Sequence, residues 1–229
     1  FYVAYKDYNW MMGFVEQLFE KLSKEVCGTT DVLFENKKIS FKGPYKKTPF
    51  FDAIKNETGE DISQKTEKEL IKYCKSKNIE TNKTMGRGKL FDAVFSHFCE
   101  EKLIQPTYIT DYPTEMSPLT KKHRTKPGLT ERFELFINGK EIANAYSEQN
   151  NPIEQRKSFE EQMKLSQRGD DEAMIIDNEF LQAIEYGMPP TSGIGIGMDR
   201  LTMLLTNKTS IQDVLFFPQM KPEKKNTKN

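Results

Sequence analysis

The stretch SGIGIGMDRLTMLL, Ser192–Leu205, constrains the fold more than any other part of the chain. Glycines take alternate positions, Gly193, Gly195 and Gly197, with Ile194, Ile196 and Met198 between them. A strand sends successive side chains to opposite faces, so one face of this strand is apolar and the other is bare. Glycine inside a strand weakens it and marks close approach by a ligand or another backbone. The bare face is therefore a candidate floor for a flat ligand. After Asp199 and Arg200, the apolar run Leu201, Met203, Leu204 and Leu205 predicts a helix. Arg200 then lies in the first turn, at the positive end of the helix dipole, where a cation is mildly unfavourable. An anionic or planar π ligand above the glycines would favour a guanidinium there.

The other recognisable chemistry lies in Glu131–Glu148. Asn138-Gly139 between apolar-alternating runs is a strong hairpin signal. A two-residue turn there pairs Ile137 with Lys140, Phe136 with Glu141, and Glu134 with Ala143. Phe133, Leu135 and Ile137 share the core face, and Glu134 and Glu141 share the other on a diagonal of about 7–8 Å. Two carboxylates on one face suit magnesium, which takes one or two carboxylates plus substrate phosphates. From spacing alone, two solvated glutamates fit as well. Strict alternation beyond Glu141 would turn Asn144, Tyr146 and Glu148 into the core. An unpaired buried glutamate is costly, so a β-bulge is expected near Ile142–Ala143.

The rest of the chain supplies a frame. Phe1–Tyr8 reads as a strand. Asp7 caps a helix to Cys27 with Gly28 as its stop and Met11, Val15, Leu18, Phe19 and Leu22 as its buried stripe. Two short strands are expected around Glu35–Lys38, and Thr48-Pro49 opens a short helix ended by Gly59. Glu60–Arg87 is lysine-rich and reads as a solvated insertion with a helix at Thr66–Lys77. Gly88–Lys102 is helical, with His97 at the core boundary. Thr107–Tyr112 is a strand, followed by a loop carrying Met116-Ser117-Pro118-Leu119 and His123-Arg124. Asn151 caps a helix to Gln167 with Glu154 completing a capping box. A further helix covers Glu172–Tyr186. Phe216-Phe217-Pro218 ends the fold.

Composition excludes little and narrows some. Across 229 residues, 34 basic and 34 acidic side chains balance, so no global basic field marks a nucleic-acid binder, although a local patch would serve. Cys27, Cys74 and Cys99 form no CxxC and are odd in number, which fits a reducing compartment. With only His97 and His123 present, a metal here would be a hard cation on carboxylates. No run is apolar and long enough to span a membrane, and no signal peptide is apparent. No internal repeat or second domain is apparent. The first residue is Phe1, so a natural translation start is not expected within the chain.

GIGIGMDRLTMLL resembles motif 3 of class II aminoacyl-tRNA synthetases. RFELFINGKEIANAYSEQNNP resembles the corresponding hairpin of lysyl-tRNA synthetases, with the eukaryotic cytosolic members reading most alike. FYVAYKDYN resembles the strand that follows motif 2. The resemblance runs from Phe1 to about Pro222 and weakens in Thr29–Arg87. It implies an α/β fold of α+β type: the class II synthetase catalytic fold, N-terminally truncated, with a central antiparallel sheet flanked by helices. Residues 1–222 would form it, with 29–87 peripheral and 223–229 a basic disordered tail.

What the resemblance implies for function is specific. Arg200 would stack on the adenine of ATP, reach its phosphates and act catalytically. Glu141, the Ile142 backbone, Gly195, Gly197, Met198 and Asp199 would line the ATP site. Glu134 and Glu141 would hold Mg2+. Tyr2, Asn144, Tyr146 and Glu148 would contact the substrate lysine. ATP, L-lysine and tRNA(Lys) would be the partners of a cytoplasmic enzyme that dimerises through motif 1. The resemblance begins after motif 2. Its arginine, the second adenine-stacking residue, motif 1 and the anticodon barrel would thus precede Phe1. The chain alone is expected to be folded but inactive, and to associate through exposed apolar surface. A paralogue that lysylates a protein, and a non-catalytic binding module, are the alternatives.

Overall fold

A computed structural model describes residues 1–170 and 173–219. Six strands form one sheet in the order β1-β8-β7-β6-β5-β4. They are β1 Tyr2–Ala4, β4 Lys46–Pro49, β5 Thr107–Thr110, β6 Arg132–Ile137, β7 Lys140–Ser147 and β8 Thr191–Ile196. All neighbours run antiparallel except β4 and β5, which are parallel. β2 Asp31–Phe34 and β3 Lys37–Ser40 form a separate hairpin, turned by Glu35 and Asn36 at positive φ. The helices are α1 Tyr8–Cys27, α2 Phe50–Thr58, α3 Glu67–Ser76, α4 Arg87–Phe98, α5 Pro152–Gln167, α6 Asn178–Tyr186 and α7 Met198–Thr206.

Local chemistry explains most boundaries. The Asp7 carboxylate accepts from the N–H groups of Asn9 and Trp10, both at 3.1 Å, and starts α1. Gly28 at φ 73° ends it. Thr66 and Glu69 form a reciprocal capping box at the start of α3. The strand expected over Phe1–Tyr8 is cut to three residues, because Tyr5 turns at φ 58° and Asp7 already caps α1. The helix expected at Thr48-Pro49 is α2, which starts one residue later than an N-cap at Thr48 would give and ends at its C-cap Gly59. Thr48 and Pro49 both pair with β5, and Pro49 stands at the N-cap. The helix expected over Gly88–Lys102 is α4 and then a separate 3-10 turn, Glu100–Lys102. Asn151 caps α5, but Glu154 binds Lys122 and Lys157 and completes no box. The helix expected from Glu172 starts at Asn178, capped by Asp177. Phe216 and Phe217 are almost wholly exposed and close no core. The basic tail expected at 223–229 lies outside the described residues.

Each face of the sheet carries a core. On one face, Met11, Val15 and Phe19 of α1 and Leu201 and Leu204 of α7 bury Tyr108, Phe133, Leu135, Ala145 and Ile194. On the other, α2, α3 and α4 bury Ile109 and Phe136 beneath Phe50, Ile54, Leu70, Phe91 and Phe95. The segment read as a solvated insertion thus supplies Ile62, Leu70, Tyr73, Cys74 and Ile79 to this second core. Fully burying one such side chain contributes roughly 1.5–3 kcal/mol. The second core covers the β4–β5 end of its face and reaches Phe136 on β6. The remainder of β6–β7–β8 stays open, and the candidate site lies there.

Candidate functional site

The Asn138-Gly139 turn, both residues at positive φ, sets Ile137 opposite Lys140 and Phe136 opposite Glu141. Beyond that the register shifts between Leu135 and Phe136. Ile142 is the extra residue, so the expected bulge is present. Glu134 therefore faces Asn144, not Ala143, and Leu135 faces Ala143. Ala143 and Ala145 join the core, while Asn144, Tyr146 and Glu148 turn to the open face with Arg132 and Glu134. The bulge also points the Ile142 carbonyl at β8, where it accepts the Gly197 N–H at 2.8 Å.

β8 lies beside this row as a floor. Gly195 pairs with Asn144, and Gly193 pairs with Tyr146 on one side and Tyr2 on the other. A Cβ on Gly195 would meet nothing within 4 Å, so the floor is open there. A Cβ on Gly193 would lie 2.1 Å from Glu148 Oε1 and 2.7 Å from the Tyr2 ring. Glu148 and the two tyrosines close that end. Arg200, in the first turn of α7, reaches back to donate to the Glu141 carbonyl at 2.6 Å. It also sits 3.9 Å from a carboxylate oxygen of Glu141. The unfavourable dipole at that position is thus partly offset within the chain. Met198 and Asp199 stand exposed at the helix start.

The electrostatics divide the face in two. At one end, burial and the neighbouring Glu134 charge raise the Glu141 carboxyl above its ordinary value, against Arg200 and Arg132. Glu134 accepts from Tyr112 Oη at 2.7 Å and from Arg132. At the other end, burial alone pushes Glu148 up to about 7. Burial and the Glu148 charge push Tyr146 to about 12. Two adjacent carboxylates that repel each other form a donor set suited to a hard divalent cation. No cluster of three or more His, Cys, Asp or Glu ligands exists among the described residues.

Arg132 was not singled out from the sequence. Alternation with Glu134 places it on the same face, and it stands in the hairpin stretch that carries the family resemblance. Two loop motifs act as braces. Met116 and Ser117 hold Arg132, and Arg124 joins Glu131 to Asp7. His97 is exposed rather than at the core boundary. His123 Nδ1 accepts from the N–H groups of Thr125 and Lys126. A cleft of about 730 Å3 runs from Arg132 and Glu134 between the start of α4 and α5. Another, of about 550 Å3 beside α2, touches none of the candidate residues.

Residues 1–221 match the family model of tRNA synthetases class II (D, K and N). The chain belongs to this family. A class II synthetase chain of this kind is 66% identical, over 98% of its length, to a protein of Christiangramia forsetii named lysine–tRNA ligase. It is 64% identical over 97% of its length to one of Porphyromonas gingivalis, and 57% identical over 97% to one of Azobacteroides pseudotrichonymphae, both named likewise. It spans 39–45% of the length of these relatives. These relatives are bacterial and lend no support to the eukaryotic cytosolic affinity expected from the hairpin. The three cysteines of this class II chain are free. Among the described residues no helix is long and apolar enough to cross a membrane.

Proposed function

We propose that the full-length protein activates L-lysine with ATP to lysyl-adenylate and transfers the lysyl group to tRNA(Lys), in the cytoplasm and as a homodimer. One observation carries the choice of amino acid. Glu148 is a half-buried carboxylate raised to about 7 by burial alone. It lies near Tyr2 and Tyr146 at the closed end of a glycine floor. A site of that kind is completed by a cation, because an unpaired buried charge is costly. The lysine ε-ammonium supplies it. The names of the relatives support the same choice.

In this reading Tyr2, Asn144, Tyr146 and Glu148 hold lysine. The open floor at Gly195, the corner Gly197–Asp199 and the Ile142 backbone take the nucleotide, with Arg200 over the adenine and toward the phosphates. Glu134 and Glu141 would hold Mg2+, which when bound screens the phosphate charge. A lysine carboxylate oxygen forms a bond to the α-phosphorus as the bond to the β-phosphate oxygen breaks, and pyrophosphate leaves with that electron pair. The carboxylate is already ionised at neutral pH, so no side chain need remove a proton. The chain contributes position and charge stabilisation. Glu148→Gln in the full-length protein is expected to lower kcat/KM for lysine by on the order of 100-fold with the ATP KM nearly unchanged. Unaltered lysine kinetics would remove Glu148 from the site.

A further inference from the structure

Arg132 has no part in the assignments above, yet it touches both halves of the site. It is largely buried. One amino group, Nη1, donates to the Met116 carbonyl at 2.7 Å and to Ser117 Oγ at 3.0 Å. Nη2 donates to Glu134 Oε1, and Nε donates to Asn144 Oδ1 at 3.2 Å. The guanidinium lies 4.6 Å from the centre of the Tyr112 ring, whose hydroxyl donates to the other Glu134 oxygen at 2.7 Å. The planar fork is thus anchored by a loop and a ring, and it spends its remaining N–H groups on a cross-strand pair.

Two geometric consequences follow. Both Glu134 oxygens are held, so the carboxylate plane is fixed with its remaining lone pairs available to the open face. A guanidinium only donates, so the Asn144 carbonyl faces Arg132 and its amide N–H groups face elsewhere. Glu134 belongs to the proposed metal–phosphate half and Asn144 to the proposed lysine half.

We propose that Arg132 is a positioning residue that sets Glu134 and Asn144 in one geometry and so holds the phosphate-binding and amino-acid-binding halves in register. The inference rests on the lysine-activating reading of the site. Lysine in its place would keep the charge but not the fork, and Arg and Lys are not interchangeable at such sites.

The test uses the full-length protein, its Arg132→Lys variant and its Ser117→Ala variant. Lysine affinity is measured by calorimetry without nucleotide or metal, and Mn2+–ATP affinity by electron paramagnetic resonance. Arg132→Lys is expected to weaken both by about 10-fold, and Ser117→Ala, which loosens the anchor, to weaken both by about threefold. Both affinities unmoved in a folded Arg132→Lys overturn the proposal, and so does a loss confined to one ligand. Should Arg132→Lys fail to fold, Ser117→Ala decides by the same two outcomes. A wild-type protein that binds no lysine overturns the underlying reading. A wild-type protein that binds lysine while both variants bind both ligands as tightly as it does overturns the role of Arg132 alone.

Discussion

Glu148 titrates near neutrality because burial penalises its charge and no cation among the described residues pairs with it. Its raised value costs the folded chain nothing below the unfolded carboxyl value of about 4.5. The cost grows above that and is complete above about 7. In the proposed reading lysine binding reverses the sign, since an ammonium partner favours the ionised form. Lysine affinity is therefore expected to fall about tenfold from pH 8 to pH 6, with close to one proton released per lysine bound at pH 6. Calorimetry in buffers of different ionisation enthalpy measures both. Glu148→Gln should flatten the profile, and a wild-type profile already flat across this range would contradict the assignment. Contact with solvent differs for Glu131, where burial would also raise the carboxyl. Hydrogen bonds from Arg124 and Ser147 and the Arg124 charge outweigh that and hold it low.

In the proposed reading β7 and β8 divide the two ligands between them. An Ala at Gly193 puts a methyl group against Glu148 and Tyr2, whereas one at Gly195 meets only open space. Gly193→Ala is expected to weaken lysine binding by roughly 1–3 kcal/mol and leave ATP largely unaffected. Gly195→Ala should keep the fold and lysine affinity while raising the ATP KM. Steady-state kinetics separate the two, and loss of the same ligand in both variants would contradict the division of the strand. The turn and the pairs next to it were legible because Asn-Gly fixes local backbone shape. The bulge was legible only as a conflict, since an unbroken ladder would have buried Glu148. The pairing of Glu134 with Ala143 assumed that unbroken ladder and failed for the same reason. Pro49 was read as a helix start because its parallel partner β5 lies far away in sequence. The role of Arg132 is not legible in the sequence, because its anchors, Met116 and Ser117, are on a loop that only the tertiary fold brings near.

At the scale of the whole molecule, two cores clamp the sheet and leave part of one face open, and Arg124 fastens the clamp. It joins Asp7, the cap of α1, to Glu131 at the start of β6, a carboxylate that is 1% exposed. Arg124 itself is mostly exposed, so its removal is expected to cost roughly 1–3 kcal/mol, below the range for a fully buried pair. The folded value of Glu131 is lowered, so its stabilisation is complete above about 4.5 and is lost as pH falls through the folded value. In Arg124→Ala burial dominates and the sign reverses. The gap in unfolding free energy between wild type and variant should thus narrow from pH 7 to pH 4 in urea unfolding; a constant gap would contradict the clamp. In the proposed reading the full-length protein activates lysine, one of the three amino acids in the name of the family model. Amino-acid-dependent ATP–pyrophosphate exchange by the full-length protein, run in parallel with lysine, aspartate and asparagine, tests it most directly. The expected result is exchange with lysine alone. Comparable exchange with aspartate or asparagine, or none with lysine, would contradict it.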